Sequence, residues 1–230
     1  NIADLYKIAR QEQDEWALMS HQRACAAIKN GWFKDEIIPV EVKTKKGMVM
    51  FDTDEHPRAD TSIESLGKLK PAFKKDGTVT AGNASGLNDA GSCMIMMAAE
   101  KAREMGIKPL ARVVASAPGS VEPRIMGMGV VPAVKNALKF AKMKQEDIDY
   151  FEFNEAFAAQ VIGCNRELKV PLDRLNAVGS GISMGHPVGA TGARLIITMI
   201  NELKRRGKKF GCASLCASGG SGHAFIVEAL

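Results

Sequence analysis

Long apolar runs are missing from this chain, and no stretch is long enough to span a bilayer. Cysteine pairs are missing too. The five cysteines (Cys25, Cys93, Cys164, Cys212 and Cys216) are odd in number, scattered, and never spaced as CxxC. That pattern argues against a disulfide framework and for a reducing compartment, with a cytoplasmic location as the expectation. Clustered positive charge is also scarce. A net charge of +5 suits an anionic ligand but not a nucleic-acid surface. The nearest basic run, Lys204-Arg205-Arg206, fits a helix end capped by Gly207, where cations offset the macrodipole. The opening, "NIADLYKIARQEQDEW", has neither an initiator methionine nor a leader. The expectation is a piece of a longer chain, with any targeting signal out of view.

What is there is ordinary for a globular chain: 230 residues, 46% hydrophobic and 25% charged, enough for a real core. Trp16, Ala17, Ala24, Ala27 and Ile28 share one helical face that ends at Asn30-Gly31. "DEIIPVEV" and "GMVMFDT" read as strands joined by the turn "KTKKG". A polar, turn-rich stretch follows. A helix is expected from about Asn88, with Met94, Met96 and Met97 in the core, until Gly106 and Pro109 break it.

Beyond Pro109, strands and helices alternate: "LARVVASA", "PAVKNALKFAKM", "IDYFEF", "EAFAAQVIGCNREL", "LNAVGSG", "PVGATGARLIITMINELKRR", then "KFGCASLC" and "HAFIVEAL". This is the signature of an α/β layered domain with a mixed sheet, and such sheets bind ligands at the carboxyl ends of strands. Three motifs fall at such ends: Asn154-Glu155, Gly185-His186-Pro187 and Cys216.

His186 sits between glycine and proline at a strand-to-helix turn, an unusual setting for a purely structural histidine. Gly189 and Gly192 suggest close approach of a backbone or ligand. The spacing of Gly179, Gly181 and Gly185 does not fit a dinucleotide fingerprint. Cys212, Cys216 and His223 are too few and too nearly collinear for a zinc site, so no metal is expected. Cys25, Cys93 and Cys164 read as small buried hydrophobes. Met126 and Met128 suit either a core or an apolar pocket.

Taken in order, "NEAFAAQ", "GHPVGATGAR" and "CASGGSG" resemble the thiolase family closely. "SLGKLKPAF" and "TVTAGNASGLNDA" are similar to that family's coenzyme A-binding loop. The resemblance covers the whole chain. It implies one complete βαβαβαββ unit, residues 109–230, with a coenzyme A-binding loop domain over 1–87 and the tail of a second unit over 88–108. It implies an acyltransferase joining or cleaving acyl-CoA and acetyl-CoA by Claisen chemistry, with acetoacetyl-CoA as the expected substrate.

By this resemblance Cys216 is the base that also returns a proton. His186 activates a nucleophilic cysteine, Asn154 holds the water of an oxyanion hole, and the Ser218 N–H serves a second hole. Arg58 and Ser65 match the adenine end of coenzyme A, Ser85 the pantetheine arm, and Met126 the acyl pocket. Taken alone, Arg58 has a solvated surface charge as its less favoured reading. Coenzyme A and acyl-CoA would be substrates, with no tightly bound cofactor.

The family also needs a nucleophilic cysteine that this chain does not supply. An N-terminal portion is therefore an expected partner, and a homodimer or tetramer the expected assembly. The competing reading is a non-catalytic thiolase-like subunit that binds acyl-CoA. Ser218 departs from the family's glycine, which matters only if its φ angle is positive. His223 adds a titratable group expected near the base.

Overall fold

The computed structural model describes residues 1–230. After a short helix α1 (Ile2–Tyr6), the apolar face read at Trp16–Ile28 forms α2 (Arg10–Lys29), burying Trp16, Ala17, Ala24 and Ala27. Gly31, at φ 70, turns the chain away from its end. Strands β1 (Val40–Thr44) and β2 (Gly47–Phe51) make the expected hairpin, with Val42 opposite Val49. Every residue of both strands is exposed. Helix α3 (Ile63–Gly67) begins at a capping box: the side chains of Ser62 and Ser65 each accept the other's backbone N–H.

The helix expected from Asn88 is corrected by the structure. Residues 88–98 are irregular, and only α4 (Ala99–Glu104) is helical. The methionines assigned to the core are not in it: Met96 is 62% exposed and Met97 41%, and Ile95 between Met94 and Met96 is 84% exposed. A short helix gains too little from its own hydrogen bonds to form without a packing surface, and no element of this chain covers these residues. Cys93, in this stretch, is likewise exposed and Cys25 half-buried; of the three cysteines read as buried, only Cys164 is.

Residues 109–230 form the layered body. Strand β3 (Ala111–Ser120) leads through a tight 3₁₀ segment (Pro123–Gly129) into α5 (Val130–Ala141). Then come β4 (Tyr150–Phe153), α6 (Ala158–Leu168), the single turn α7 (Gly181–Met184), α8 (Thr191–Arg206), β5 (Phe210–Ala217) and β6 (Ser221–Ala229). The sheet order is β3-β6-β5-β4, with β4 and β5 parallel and the other pairs antiparallel.

"LNAVGSG", read as a strand, makes only bridges, Leu175 to Phe151 and Ala177 to Gly179. Asn176 at φ 49 and Gly179 at φ 80 take the backbone out of the extended region there. The mixed α/β class stands, with that member reduced to an edge contact.

Period-2 alternation sorts the sheet into two faces. Phe151, Phe153, Cys212, Cys216, Ala224 and Ile226 pack with α5 and α6. Tyr150, Ala213 and Val227 pack under Leu195, Met199 and Leu203 of α8. Gly207, at φ 61, closes α8 with its N–H on the carbonyls of Leu203 and Lys204, after the basic last turn. No helix is long and apolar enough to cross a membrane.

Candidate active site

Because β4 and β5 run parallel as neighbours, their carboxyl ends lie together. Asn154 follows β4 directly, and its backbone N–H donates to the Ser214 carbonyl of β5 at 3.0 Å, two residues before Cys216. Its side chain is fully buried, and neither Nδ2 nor Oδ1 has a partner within the chain. Leaving such a group unpaired costs about 1–3 kcal/mol, so an amide held this way suits a polar ligand.

Cys216 lies near the end of β5, buried on the α5/α6 face near Cys164. Burial pushes its thiol pKa up. The group therefore rests as a thiol near pH 7. Ser218 opens the turn after β5. The left-handed positions of that turn fall on Gly219 (φ 80) and Gly220 (φ 91), so the serine is unstrained and its N–H is retained.

His186 stands in the loop between α7 and α8, after Gly185 at φ 85. Its backbone N–H donates to the Gly86 carbonyl at 3.1 Å. Its Nδ1 is 2.7 Å from Thr191 Oγ1, whose own hydroxyl donates to the Pro187 carbonyl at 2.9 Å. A hydroxyl has one proton to give. Thr191 therefore accepts from Nδ1–H, and Nε2 keeps the lone pair. Burial, and then Arg194, lower the His186 pKa, so the imidazole is neutral near pH 7 with a basic Nε2. Thr191 was not singled out in the sequence, although its place one turn after a Gly-His-Pro loop was a usable signal.

Within the chain, no backbone approaches Gly189 or Gly192 closely, which leaves the space beside them open. A Cβ on Gly189 would meet nothing within 4 Å, and one on Gly192 only Leu215 at 4.0 Å. On Gly181 it would lie 2.6 Å from Asn154 Oδ1 and 2.9 Å from the Glu155 carbonyl oxygen. The tight wall is thus α7 against Asn154.

Glu155, quoted with Asn154 but given no role, is the organiser here. It is 1% exposed, and its carboxylate accepts from Trp16 Nε1 at 3.0 Å, Ser20 Oγ at 2.6 Å, Asn176 Nδ2 at 3.1 Å and the Ile182 N–H at 3.3 Å. It ties α2 and α7 to the end of β4. The signal was an acid directly after a buried strand.

His223 is corrected. It pairs with Leu215 on the sheet face opposite Cys216, and its Nε2 meets Ser116 Oγ at 2.6 Å. Cys212, Cys216 and His223 do not converge, and no three His, Cys, Asp or Glu side chains gather as a metal site.

A pocket of about 400 Å³ opens beside the α6 N-terminus, walled by Phe73, Met126, Phe157 and Gln160. Ser85 is fixed next to it: its N–H and hydroxyl both bond the Ala156 carbonyl, at 3.0 and 3.1 Å. Arg58 and Ser65 are exposed and do not line this pocket. The Arg58 backbone N–H donates to His21 Nδ1 at 3.1 Å, and the Ser65 side chain is engaged in the α3 cap.

Comparison with known proteins follows the same lines. Residues 107–229 match the family described as thiolase, C-terminal domain, and residues 1–100 match thiolase, N-terminal domain. An acetyl-CoA acetyltransferase of Syntrophomonas wolfei is 52% identical over all of this chain, and a β-ketothiolase of Cupriavidus necator 50% identical over 99% of it. The chain superposes on the crystal structure of the Bacillus anthracis acetyl-CoA acetyltransferase with TM-score 0.97 and 50% identity. With human mitochondrial 3-ketoacyl-CoA thiolase the values are 0.95 and 43%. Both superpositions cover 100% of this chain. In all four cases the chain spans 58% of the length of the relative.

Proposed function

This chain belongs to the thiolase family, and on that premise we propose that it carries the base, the activating histidine and much of the coenzyme A site of an acetyl-CoA acetyltransferase. A second portion would supply the nucleophilic cysteine. The observation that carries this reading is the Asn154 amide, buried and unpaired at the end of β4, on the strand next to Cys216.

In the thiolysis direction His186 Nε2 takes the proton of the nucleophilic cysteine, whose thiolate attacks the 3-keto carbonyl. The carbon–carbon bond breaks, and the leaving acetyl-CoA enolate takes a proton at carbon from the Cys216 thiol. The raised pKa of Cys216 suits this step, because a protonated group must be waiting. The Cys216 thiolate then takes the proton of an incoming coenzyme A thiol. That sulfur attacks the acyl-enzyme and releases acyl-CoA, and the cysteine thiolate is reprotonated from His186. Condensation is the same path reversed. Asn154, through a water, and His186 would stabilise one developing oxyanion, and the Ser218 N–H the other.

Met126 would face the acyl group and Ser85 the pantetheine arm. Arg58 and Ser65, outside the pocket, would meet the nucleotide end. Acetoacetyl-CoA is the proposed substrate, and a dimer or tetramer the proposed assembly.

The test is acetoacetyl-CoA thiolysis by protein in which this chain is joined to the nucleophile-bearing portion. Cys216→Ala and His186→Ala should each lower kcat by at least about a hundredfold, as loss of a general acid–base does. Binding of coenzyme A without turnover in the intact protein would instead favour the binding-subunit reading.

A further inference from the structure

A single guanidinium joins the pieces of chain that carry Asn154 and His186. Arg194 lies on the first turn of α8. Its Nη1 donates to Glu152 Oε1 at 2.9 Å and its Nη2 to Ser180 Oγ at 3.1 Å. Glu152 is in β4, two residues before Asn154, and Ser180 directly precedes α7. The His186 loop runs from α7 to α8. Arg194 therefore ties the elements on both sides of that loop to the strand that ends at Asn154.

The groups around it are fully engaged. Ser180 Oγ accepts from Arg194 and donates to the Phe153 carbonyl at 3.0 Å. Glu152 Oε2 accepts from the Tyr150 hydroxyl at 2.8 Å, and the hydroxyl oxygen accepts from the Ala177 N–H at 3.0 Å. Each hydroxyl gives its one proton to a defined acceptor, so the network is satisfied in a single arrangement.

Burying such a network is costly. Glu152 and Ser180 are 0% exposed, and burial raises the Glu152 pKa to about 7 although Arg194 and the Tyr150 hydroxyl lower it. Packed apolar side chains of similar volume often stabilise a fold as well or better. What the hydrogen-bonded pair adds is a fixed placement of the parts it joins. This inference rests on the function proposed above, in which Asn154 and His186 share one developing oxyanion and their separation matters. We propose that Arg194 is a positioning residue, which through Glu152 and Ser180 sets where His186 stands relative to Asn154.

The experiment uses the intact protein, in which this chain is joined to the nucleophile-bearing portion. Acetoacetyl-CoA thiolysis and melting temperature are measured for Arg194→Met, for Arg194→Met combined with Glu152→Gln, and for Ser180→Ala. Arg194→Met alone strands the buried Glu152 carboxyl and is expected to melt lower. The double variant has no charge at either position, and its melting temperature is expected to return towards that of wild type. Its kcat is not expected to return. It stays roughly ten- to a hundredfold down with KM for coenzyme A within about twofold, as lost alignment of bound groups gives. Ser180→Ala removes one hydroxyl, and its kcat should fall roughly threefold or more with KM unchanged.

Recovery of kcat together with melting temperature in the double variant overturns the proposal, because the pair is then structural only. So does a rise in KM with kcat unchanged. If the double variant does not fold, Ser180→Ala decides, and wild-type kcat in that variant overturns the proposal. Intact wild-type protein that does not thiolyse acetoacetyl-CoA, or does so unaffected by Cys216→Ala, overturns the function proposed above and this inference with it, a result distinct from the others.

Discussion

Val42 and Val49 face each other across the hairpin β1–β2, as Cys212 and Ile226 do across β5–β6. Both pairs are antiparallel, and both sequences have strand-forming residues around a short turn. The valines are 42% and 47% exposed, whereas Cys212 and Ile226 are completely buried. The difference lies in cover. The β5–β6 pair is the middle of a sheet with α5 and α6 on one face and α8 on the other, and no element of this chain packs on the hairpin. Strand pairing follows from local pattern and turn chemistry, but burial depends on elements distant in sequence. The two regions should therefore answer differently to the same substitution.

The largest contrast should come from the phenylalanines. Phe153 in β4 is fully buried, in edge-to-face contact with Phe151 at 5.7 Å between ring centres. Phe153→Ala should cost about 3–5 kcal/mol of unfolding free energy through lost burial and a residual cavity. Phe51→Ala in the hairpin, where the ring is 45% exposed, should stay within about 0.5 kcal/mol. Urea unfolding of both variants measures this. Comparable losses would mean that the hairpin is covered in solution.

The same contrast explains what could be read in the sequence. Most of residues 109–230 was legible because its other strands and helices have a clear period and end in turn residues. The α2 face at Trp16–Ala27 was legible for the same reason. The stretch 88–98 misled because alanines and methionines have high helix propensity, and propensity without a packing surface does not order a helix. "LNAVGSG" misled because its apolar residues look like a strand while Asn176 and Gly179 take positive φ angles.

In the site, motif order put Asn154 and Cys216 at strand ends, where the structure has them; His186 instead follows the helical turn α7, because "LNAVGSG" does not form a strand. Partners outside the motifs were not legible. Glu155 is satisfied by Trp16 and Ser20, more than a hundred residues away, and no local pattern announces such a contact. The face on which His223 lies follows from the β5–β6 register, which was equally out of reach.

A second prediction concerns the junction between the segment leading to the hairpin and the layered body. Glu36 is received by α8, where Thr198 Oγ1 donates to Glu36 Oε2 at 2.8 Å. Burial raises the Glu36 pKa from 4.5 to about 7, against the hydrogen bonds from Thr198 and Asn201 and the nearby Arg194 charge that lower it. Between pH 4.5 and 7 the folded protein thus holds a proton that the unfolded chain has released. Stability from this group is complete below pH 4.5 and is lost as pH rises through 7.

Glu36→Gln removes that loss. Relative to wild type, the variant should gain about 2–3 kcal/mol between pH 5 and 8. The difference between the two proteins is the quantity to measure, because His21, its pKa lowered to about 4 chiefly by burial, makes wild-type stability rise with pH over the neighbouring window. A difference that does not change with pH would mean that the Glu36 carboxyl is solvated and the junction open.

The contrast between covered and uncovered also exists over the few residues from α7 to α8, at Gly181 and Gly189. A Cβ at Gly181 would press on Asn154 Oδ1 and the Glu155 carbonyl, both held by buried structure. Gly181→Ala should therefore cost about 1–3 kcal/mol by overpacking, and should move the amide that the proposed oxyanion hole depends on. Gly189 has open space around the same atom and no positive φ. Gly189→Ala should be neutral, or stabilise by about 0.4–1 kcal/mol through the unfolded chain alone. Urea midpoints for the two variants decide it. If they coincide, α7 has enough freedom to back away from Asn154, and the wall beside that amide is soft rather than fixed.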